Sequence, residues 1–350
     1  MHVVEISHDW RERYETFVAK SLDTMIYYAW SYRTFLEELL GSKAVYFGVI
    51  DDAGKLLGVR PLMAKDGPLG VVYNSLPFFG SYGGVLSASA PATALLWAAY
   101  DAVTTTKGAA SATVVLNPLA TQAIPVHWNF EDSRIGQFTD LDFGDDESQL
   151  MERIDPSARR NVRVAERAGF VVSVENSIEA LQQLAKIHRG NILAIGGRVK
   201  PDDFFTLIPK HFAANIDYKI YTARKDGEIV AALLLFYYGG IVEYFTPGTL
   251  LAYRGAQPSA LLIKQAMLDA ASDGNTLWNW GGTWDTQEGV LKFKRKWGAK
   301  DRVYRYYTRL NNPLMLNCTP EQLLEDYNFF YTVPFSKLHR IALPSEAKNG

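Results

Sequence analysis

Lys294 is the residue of this chain whose position most clearly calls for chemistry. It belongs to segment 289–298, which reads Gly-Val-Leu-Lys-Phe-Lys-Arg-Lys-Trp-Gly and follows a pair of glycines. Helical spacing places Val290, Phe293 and Trp297 on one apolar face, with Lys294 inside that face. An ammonium there loses hydration, so it needs a partner, a shifted pKa or a polar cavity. The segment predicts a reactive lysine, or one whose stem covers a tryptophan while its charge reaches water.

The elements that would position this lysine occur twice in the chain. Strand–turn–strand patterns at 44–63 and 218–238 are each followed by a glycine-containing loop, a helix and a further strand. The two helices are predicted after Pro91 and from Ser259, and each ends before a glycine. A repeat of this length predicts a duplicated α/β (α+β) domain, each copy a mostly antiparallel sheet flanked by helices. We expect the binding site in the cleft between the copies.

The domain boundaries follow from the repeat. We predict a first domain over residues 1–150, a connecting arginine-rich helix over 151–169 and a second domain over 170–312. The remaining residues, 313–350, are predicted to form a C-terminal helix and a tail.

Composition excludes several classes of protein. The 350 residues exceed the usual size of a single core, and the apolar share of 48% argues against disorder. A net charge of −2 disfavours binding to duplex DNA, although a local basic groove could hold a nucleotide or one end of an RNA. The single cysteine, Cys318, excludes an intrachain disulfide and favours the cytoplasm. The six histidines lack metal-ligand spacing, and no apolar run is long enough to span a bilayer.

Three sequence features together resemble the FemAB-like family of the Gcn5-related N-acyltransferase (GNAT) superfamily. They are the arginine-rich stretch 159–169, the Gly-Glu-Ile-Val-Ala-Ala strand at 227–232, and Trp280-Gly-Gly-Thr with the ending Phe293-Lys-x-x-Trp-Gly. The resemblance covers nearly the whole chain and implies two tandem GNAT-like domains. It also implies transfer of an acyl group to an amine of a cell-envelope or polysaccharide precursor, an acceptor that is a small molecule or is linked to a nucleotide or lipid.

The resemblance assigns catalytic roles to Lys294 and Phe293. It implies that the Lys294 ammonium stabilises the oxyanion formed at the acyl carbonyl. The acceptor amine must lose a proton, for which Glu243, Tyr244, Asp285 and Glu288 are available. Glu243 and Tyr244 lie on opposite faces of one predicted strand, and we prefer Tyr244.

The remaining candidates are assigned to substrate binding. The loop 74–84 is expected to line the acceptor site, as the family implies, although such loops can be plain turns. Arg189 and Arg198, on either side of a glycine-containing segment, could clamp a phosphate. The full set of binding candidates is Asn74, Tyr82, Gly83, Arg189, Arg198, Arg254, Trp284, Asp285 and Trp297.

The acyl donor stays open between acetyl-CoA and aminoacyl-tRNA. Coenzyme A sites of the superfamily use a Gln/Arg-x-x-Gly-x-Gly/Ala turn, but here Pro258 removes a backbone donor and the glycine spacing differs. Pro247 is expected to stop strand pairing, consistent with strands that separate to admit the donor. The degenerate turn also allows a second hypothesis, a non-catalytic module that binds a glycan or precursor.

Overall fold

The computed structural model describes residues 1–78, 82–120 and 123–339. The chain forms two compact units. Unit 1 comprises Met1–Asp23, Leu36–Ser133 and Tyr304–Gly350, and unit 2 comprises Thr24–Phe35 and Arg134–Val303. The bounds of these units differ from those of the predicted stretches 1–150, 151–169, 170–312 and 313–350. The domain boundaries given by those stretches stay a prediction.

The helices lie between groups of strands along the chain. They are α1 Arg11–Ala19, α2 Trp30–Leu40, α3 Ala90–Thr104, α4 Glu147–Arg153, α5 Pro156–Arg167, α6 Ile178–Leu193, α7 Phe204–His211, α8 Pro258–Ser272, α9 Glu288–Arg295 and α10 Pro320–Asp326.

The strands are β1 His2–Glu5, β2 Lys43–Ala44, β3 Phe47–Ile50, β4 Leu56–Arg60, β5 Met63–Lys65, β6 Val71–Asn74, β7 Leu86–Ser87, β8 Ala109–Val115, β9 Phe130–Asp140, β10 Val171–Val174, β11 Tyr218–Lys225, β12 Glu228–Tyr238, β13 Ile241–Thr249, β14 Leu277–Thr283 and β15 Lys300–Leu310.

Unit 2 is built on strands in the order β10-β11-β12-β13-β14-β9. Every neighbouring pair is antiparallel except β13 and β14, which run parallel because α8 forms the crossover between them. One side of this sheet carries α5 and α8, whose apolar residues join those of β12 and β14 in a continuous core.

Unit 1 repeats the same arrangement. Its strands β15-β8-β6-β5-β2 are antiparallel neighbours except β6 and β8, which run parallel and enclose α3 in the chain. A second sheet of order β1-β3-β4-β7 packs with α3 around Val49, Leu96 and Trp97. Each unit therefore contains one parallel pair joined by one helix, and the predicted α/β fold with helices flanking mostly antiparallel sheets is confirmed.

Buried Lys264 of α8 connects the helices that cover unit 2. Its ammonium donates to Glu166 of α5 at 2.7 Å and to Glu147 of α4 at 3.0 Å, while its side chain is only 8% exposed. This ionic contact fixes α8 relative to α4 and α5.

Two predictions about local structure are wrong. The glycine-containing segment that Arg189 is predicted to flank begins inside a helix, because α6 continues to Leu193 and includes both Arg189 and Gly190. Pro247 was expected to stop strand pairing, but β13 pairs with β12 through Thr249, with Pro247 opposite Leu233. The proline is tolerated because the other edge of β13 has no neighbouring strand at this level, so no ladder donor is needed there.

Glu175 should make stability depend on acid pH. Arg224 hydrogen-bonds both carboxylate oxygens at 2.8 and 2.6 Å, and Thr222 and Ser173 donate as well, which lowers the pKa of Glu175 from 4.5 to about 2. This contribution is complete above pH 4.5 and is lost as the pH falls towards 2. Glu175→Gln should lower the free energy of unfolding by about 2 kcal/mol at pH 7. Urea titrations at pH 7 and pH 2.5 measure it, and an undiminished difference at pH 2.5 would contradict this account.

Candidate active site

The two parallel strands of unit 2 separate part of the way along their length. β13 and β14 pair only from Ile241 to Glu243 and from Leu277 to Asn279, although both strands continue beyond these residues. A bulge at Phe245 bends β13, because its register against β12 shifts between Tyr244 and Thr246. The result is an opening between two strands, with Glu243 and Asn279 at the point of divergence.

Lys294 reaches this opening from α9. Its side chain is 6% exposed, and its ammonium donates to the Gly281 carbonyl at 3.1 Å and to the Thr283 hydroxyl at 2.6 Å. Gly281 has a φ of +74°, which favours glycine, and β14 bulges there against β9. The glycine pair of the motif thus shapes the strand that receives the lysine.

Gln137 and Thr139 of β9 hold α9 in place. The Gln137 side chain donates to the Leu291 carbonyl at 3.2 Å, and the Thr139 hydroxyl donates to the Trp297 carbonyl at 3.0 Å. Both side chains are buried. Lys294 is therefore positioned by a helix that is anchored at two places to the sheet.

Glu243 supplies a buried carboxylate that interacts electrostatically with the lysine. It is 3% exposed, and Asn279 donates to it at 2.6 Å. Burial raises the pKa of Glu243 to about 8, against the opposing effects of Tyr27, Asn279 and the charge of Lys294. Burial likewise lowers the pKa of Lys294 to about 8, against the charges of Glu243 and Asp301. Each of the two groups can therefore gain or lose a proton near neutral pH.

The predicted apolar face of α9 is partly wrong. Leu291, Lys294 and Trp297 are the buried residues, whereas Val290 and Phe293 are 42% and 40% exposed. Residues three apart share a helix face, and β9 and β14 contact the side defined by Leu291 and Lys294. Lys294 is buried because it shares a helix face with Leu291, and not because it lies on the predicted face of Val290 and Phe293.

Tyr244 lies on the opposite face of β13 from Glu243. Its ring packs 4.9 Å from that of Trp280 and 6.2 Å from that of Trp278, with Phe293 and Trp297 also beside Trp280. Burial raises the pKa of the Tyr244 phenol far above its usual range, which makes proton uptake from an amine unfavourable. The placement favours Glu243, the carboxylate that sequence reasoning ranked lower, as the proton acceptor.

Two cavities flank the start of α8. One of about 330 Å³ is lined by Pro247, Thr249 and Arg254, and another of about 160 Å³ by Asn161, Phe293 and Lys296. Gln257 and Ser259 line both cavities. Gln257 has a φ of +59° and the helix opens with Pro258. Arg254 therefore lies near the N-terminus of a 15-residue helix, where the helix dipole is positive.

The first-unit candidates are packed within unit 1. Asn74 donates to the Tyr331 carbonyl at 2.8 Å and accepts from the Tyr331 amide at 2.7 Å. Tyr82 is fully buried against Tyr304, and the Gly83 amide donates to the Val115 carbonyl. Residues 79–81 of the same loop lie outside the described residues. These contacts give Asn74 a structural task, and the acceptor role of the loop stays a prediction.

The other binding candidates lie on the surface of unit 2. Arg189 pairs with Asp202 at 2.8 Å, and Arg198 is exposed in the segment after α6. Trp284 packs against the Arg134 guanidinium, and Asp285 accepts from the Thr286 amide. The structure does not bring these four to Lys294 through any described hydrogen bond, and their roles stay predictions.

Sequence reasoning missed Asn279 and Tyr27, and gave Thr283 no role of its own. Asn279 lies between two tryptophans on a strand, so its polar side chain in an apolar run was the available signal. Thr283 is the threonine of the Gly-Gly-Thr motif itself. Tyr27 lies 216 positions before Glu243 in sequence, and no local pattern marks it.

Two absences concern only the described residues 1–78, 82–120 and 123–339. They contain no group of three or more His, Cys, Asp or Glu side chains able to hold a metal ion. They also contain no helix with the length and hydropathy needed to cross a membrane.

Part of the chain matches a known domain family. Residues 156–295 match the acetyltransferase (GNAT) domain family. This range holds the separated strands, Glu243, Lys294 and the start of α8. Among curated proteins, no sequence matches significantly.

Solved structures share the fold across almost the whole chain. FemX superposes with a TM-score of 0.68 at 15% identity, covering 90% of this chain and 98% of FemX. A tandem GNAT protein from the clavulanic acid biosynthesis pathway gives 0.53 at 12%, covering 89% and 99%. L-PGS from Bacillus licheniformis gives 0.51 at 13%, covering 85% and 95%. At these identities the likeness shows the fold alone.

Residues 156–295 therefore match a GNAT acetyltransferase domain, and the chain shares its fold with FemX and with a tandem GNAT protein. These findings agree with the resemblance to the FemAB-like family seen in the sequence, and the expected tandem GNAT-like fold is confirmed.

The proton affinity of Glu243 should depend on Lys294. Because the lysine charge lowers the pKa of Glu243 against the effect of burial, Lys294→Met should raise that pKa above about 8. Carboxyl-carbon NMR titration measures it, with the signal assigned from Glu243→Gln. An unchanged pKa would show that the two groups are not electrostatically coupled.

Proposed function

We propose that this protein transfers an acyl group to an amine of a cell-envelope or polysaccharide precursor. The observation that carries the proposal is the buried Lys294–Glu243 pair at the place where β13 and β14 separate. An ammonium and a carboxylate with pKa values near 8 supply the two functions that amide formation needs, charge stabilisation and proton uptake.

Lys294 acts on the acyl carbonyl. When the amine attacks, the carbonyl oxygen becomes an oxyanion, and a buried ammonium stabilises that charge more strongly than water would. The Gly281 and Thr283 oxygens hold the ammonium in one direction before substrate arrives. No reorganisation of the lysine is then required in the transition state.

Glu243 takes the proton that the attacking amine releases. The acceptor arrives as an ammonium and must lose a proton. A general base does this most efficiently when its pKa lies near the working pH. Burial gives Glu243 this property, while Asn279 and Tyr27 orient the carboxylate. Tyr244 contributes to the aromatic packing beneath Phe293 in this proposal, with no proton transfer.

The acyl donor is acetyl-CoA or aminoacyl-tRNA. Both carry phosphates, and the cavities at the start of α8 offer Arg254, Lys296 and the positive helix end to a phosphate-bearing group. The left-handed Gln257 followed by Pro258 replaces the glycine turn of the superfamily. Labelled forms of each donor, with an amino-sugar and peptide-amine panel, distinguish the two, and ribonuclease treatment removes activity only with the RNA donor.

Lys294→Met should abolish most acyl transfer. The substitution keeps most of the volume and removes the charge, so a loss of about 10²–10³ in kcat is expected. Lys186→Met is the matched control, because Lys186 is exposed on α6 and lines neither cavity at the start of α8. Acyl transfer by Lys294→Met at the wild-type rate would refute the assigned role.

The rate should show a maximum near pH 8. Activity rises as Glu243 becomes ionised and falls as Lys294 loses its proton, since both pKa values are about 8. Glu243→Gln should reduce kcat by about 10² or more and remove the acidic limb of the profile. A pH–rate profile of both proteins tests this, and retention of the acidic limb by Glu243→Gln would assign the base elsewhere.

A non-catalytic module that binds a glycan or precursor is the second candidate. It is motivated by the altered turn at Gln257 and Pro258. Isothermal titration calorimetry that detects acceptor binding, unaffected by Lys294→Met and without turnover of either donor, would favour it.

A further inference from the structure

We propose that Asp301 is a positioning residue that directs Lys294 and keeps it a cation. Its carboxylate binds Gln137 of β9 and Arg295 of α9, and it acts on Lys294 through this helix and through its own charge. The inference rests on the proposed function of Lys294, and it adds a residue that acts through others and not on the substrate.

The turn after α9 brings Asp301 back to that helix. α9 ends at Arg295, and Gly298 has a φ of +76°, a left-handed conformation that favours glycine. Asp301, the second residue of β15, then lies against α9. Arg295 donates to both of its carboxylate oxygens, from Nε to Oδ1 at 3.2 Å and from Nη2 to Oδ2. The glycine that closes the Phe-Lys-x-x-Trp-Gly motif thus allows an ionic contact between α9 and β15.

Gln137 extends this contact to the sheet. Its side chain is fully buried, and its amide nitrogen donates to Asp301 at 2.9 Å and to the Leu291 carbonyl at 3.2 Å. A carboxylate and a carbonyl can only accept, so the amide nitrogen must point towards them. Among the residues that the structure describes, the side-chain oxygen of Gln137 has no hydrogen-bond partner. The orientation of Gln137 therefore depends on two acceptors, one of which is Asp301.

The orientation of Gln137 affects the direction of Lys294. Leu291, whose carbonyl Gln137 binds, lies three residues before Lys294 on the same buried face of α9. Without the carboxylate, the buried Gln137 amide would lose one acceptor, and Arg295 would lose its ionic partner. The helix would then be held less firmly to β9, and the Lys294 ammonium would keep its place less well.

Asp301 also acts on Lys294 through its charge. Two carboxylates of the described residues interact electrostatically with Lys294, Glu243 of β13 and Asp301 of β15. Burial lowers the pKa of Lys294 to about 8, and these two charges oppose that effect. The hydrogen bond from Arg295 lowers the pKa of Asp301 most, and the hydrogen bond from Gln137 and the charge of Lys294 lower it further, against burial. Asp301 therefore stays ionised while Glu243 gains or loses its proton.

The other printed neighbours of Lys294 do not duplicate this charge. The groups that hydrogen-bond Lys294 from β14, and those that hold the two ends of its helix to β9, are neutral: Gly281, Thr283, Gln137 and Thr139. The other cations of this segment, Lys292, Arg295 and Lys296, are exposed. Removal of the Asp301 charge should therefore leave Lys294 with Glu243 as its remaining carboxylate.

The test compares Asp301→Asn, which removes the charge but keeps an oxygen acceptor for Gln137, with Asp301→Glu, which keeps the charge. The matched control is Asp140→Asn, because Asp140 is a carboxylate of β9 that pairs with exposed Lys300 of β15. Two quantities are measured on the full chain. They are the pH–rate profile of acyl transfer and the titration of Lys294 by carbon NMR of the lysine side chains, with the signal assigned from Lys294→Met.

We expect Asp301→Asn to move the Lys294 titration and the alkaline limb of the profile to lower pH. Loss of a negative charge makes the ammonium release its proton more easily, and a shift of about half a pH unit gives about a threefold lower kcat on that limb. The acidic limb should stay in place, because Asp301 is not among the groups that act on Glu243. Asp301→Glu and Asp140→Asn should keep both limbs.

The outcomes separate this inference from the proposed function. A rate that falls equally at every pH, with an unchanged Lys294 titration, would make Asp301 a residue of the fold alone and overturn the inference. An equal shift in Asp140→Asn would show a general effect of charge and also overturn it. Absence of acyl transfer by the wild type would overturn the proposed function, whereas the NMR titration would still decide whether Asp301 controls the charge of Lys294.

Discussion

The burial of an ammonium beside a carboxylate is the constraint on which the site of unit 2 depends. Neither Lys294 nor Glu243 would be stable alone in a dry environment, because an isolated buried charge costs several kcal/mol. Each is held by neutral oxygen or nitrogen partners as well as by the other's charge. This arrangement keeps both pKa values near 8, where neither protonation state is strongly preferred. A site of this kind can move a proton without a large change in structure.

The geometry of the sheet allows this pair to be buried without disrupting the fold. β13 and β14 start as an ordinary parallel pair and then part, so the backbone opens a space without breaking the core beneath it. Tryptophans 278, 280 and 297 fill one face, and Asn279 and Glu243 turn to the other. The alternation of a strand thus separates a packed side from a reactive side within one tripeptide.

Much of this architecture could be predicted from the sequence because it is local. The repeated strand–turn–strand patterns and the glycine-terminated helices are short-range signals, and the Gly-Gly-Thr and Phe-Lys motifs lie within twenty residues of each other. Alternation along residues 243–245 showed that Glu243 and Tyr244 must face opposite ways. It could not show which face would be open, because that depends on where α8 and α9 pack.

The features that the sequence did not predict depend on contacts between residues far apart in the chain. Asn74 looked like a binding residue, but its side chain is occupied by the backbone of Tyr331, 257 positions away. Tyr27 is fully buried and interacts with Glu243, which lies far from it in sequence. Val290 and Phe293 satisfied the apolar pattern of a helix but lie outside, since the anchoring of Leu291 and Trp297 by Gln137 and Thr139 decides the rotation of α9.

The extra residue in β13 has a consequence for how this chain can evolve. In a regular strand every second side chain faces the same way, and the bulge at Phe245 resets that parity for the rest of β13. Deletion of one residue there would move the side chains of Pro247 and its neighbours to the opposite face of the sheet, while the side chain of Glu243 would keep its direction. Substitutions can adjust the chemistry of this opening, but its length in residues is fixed.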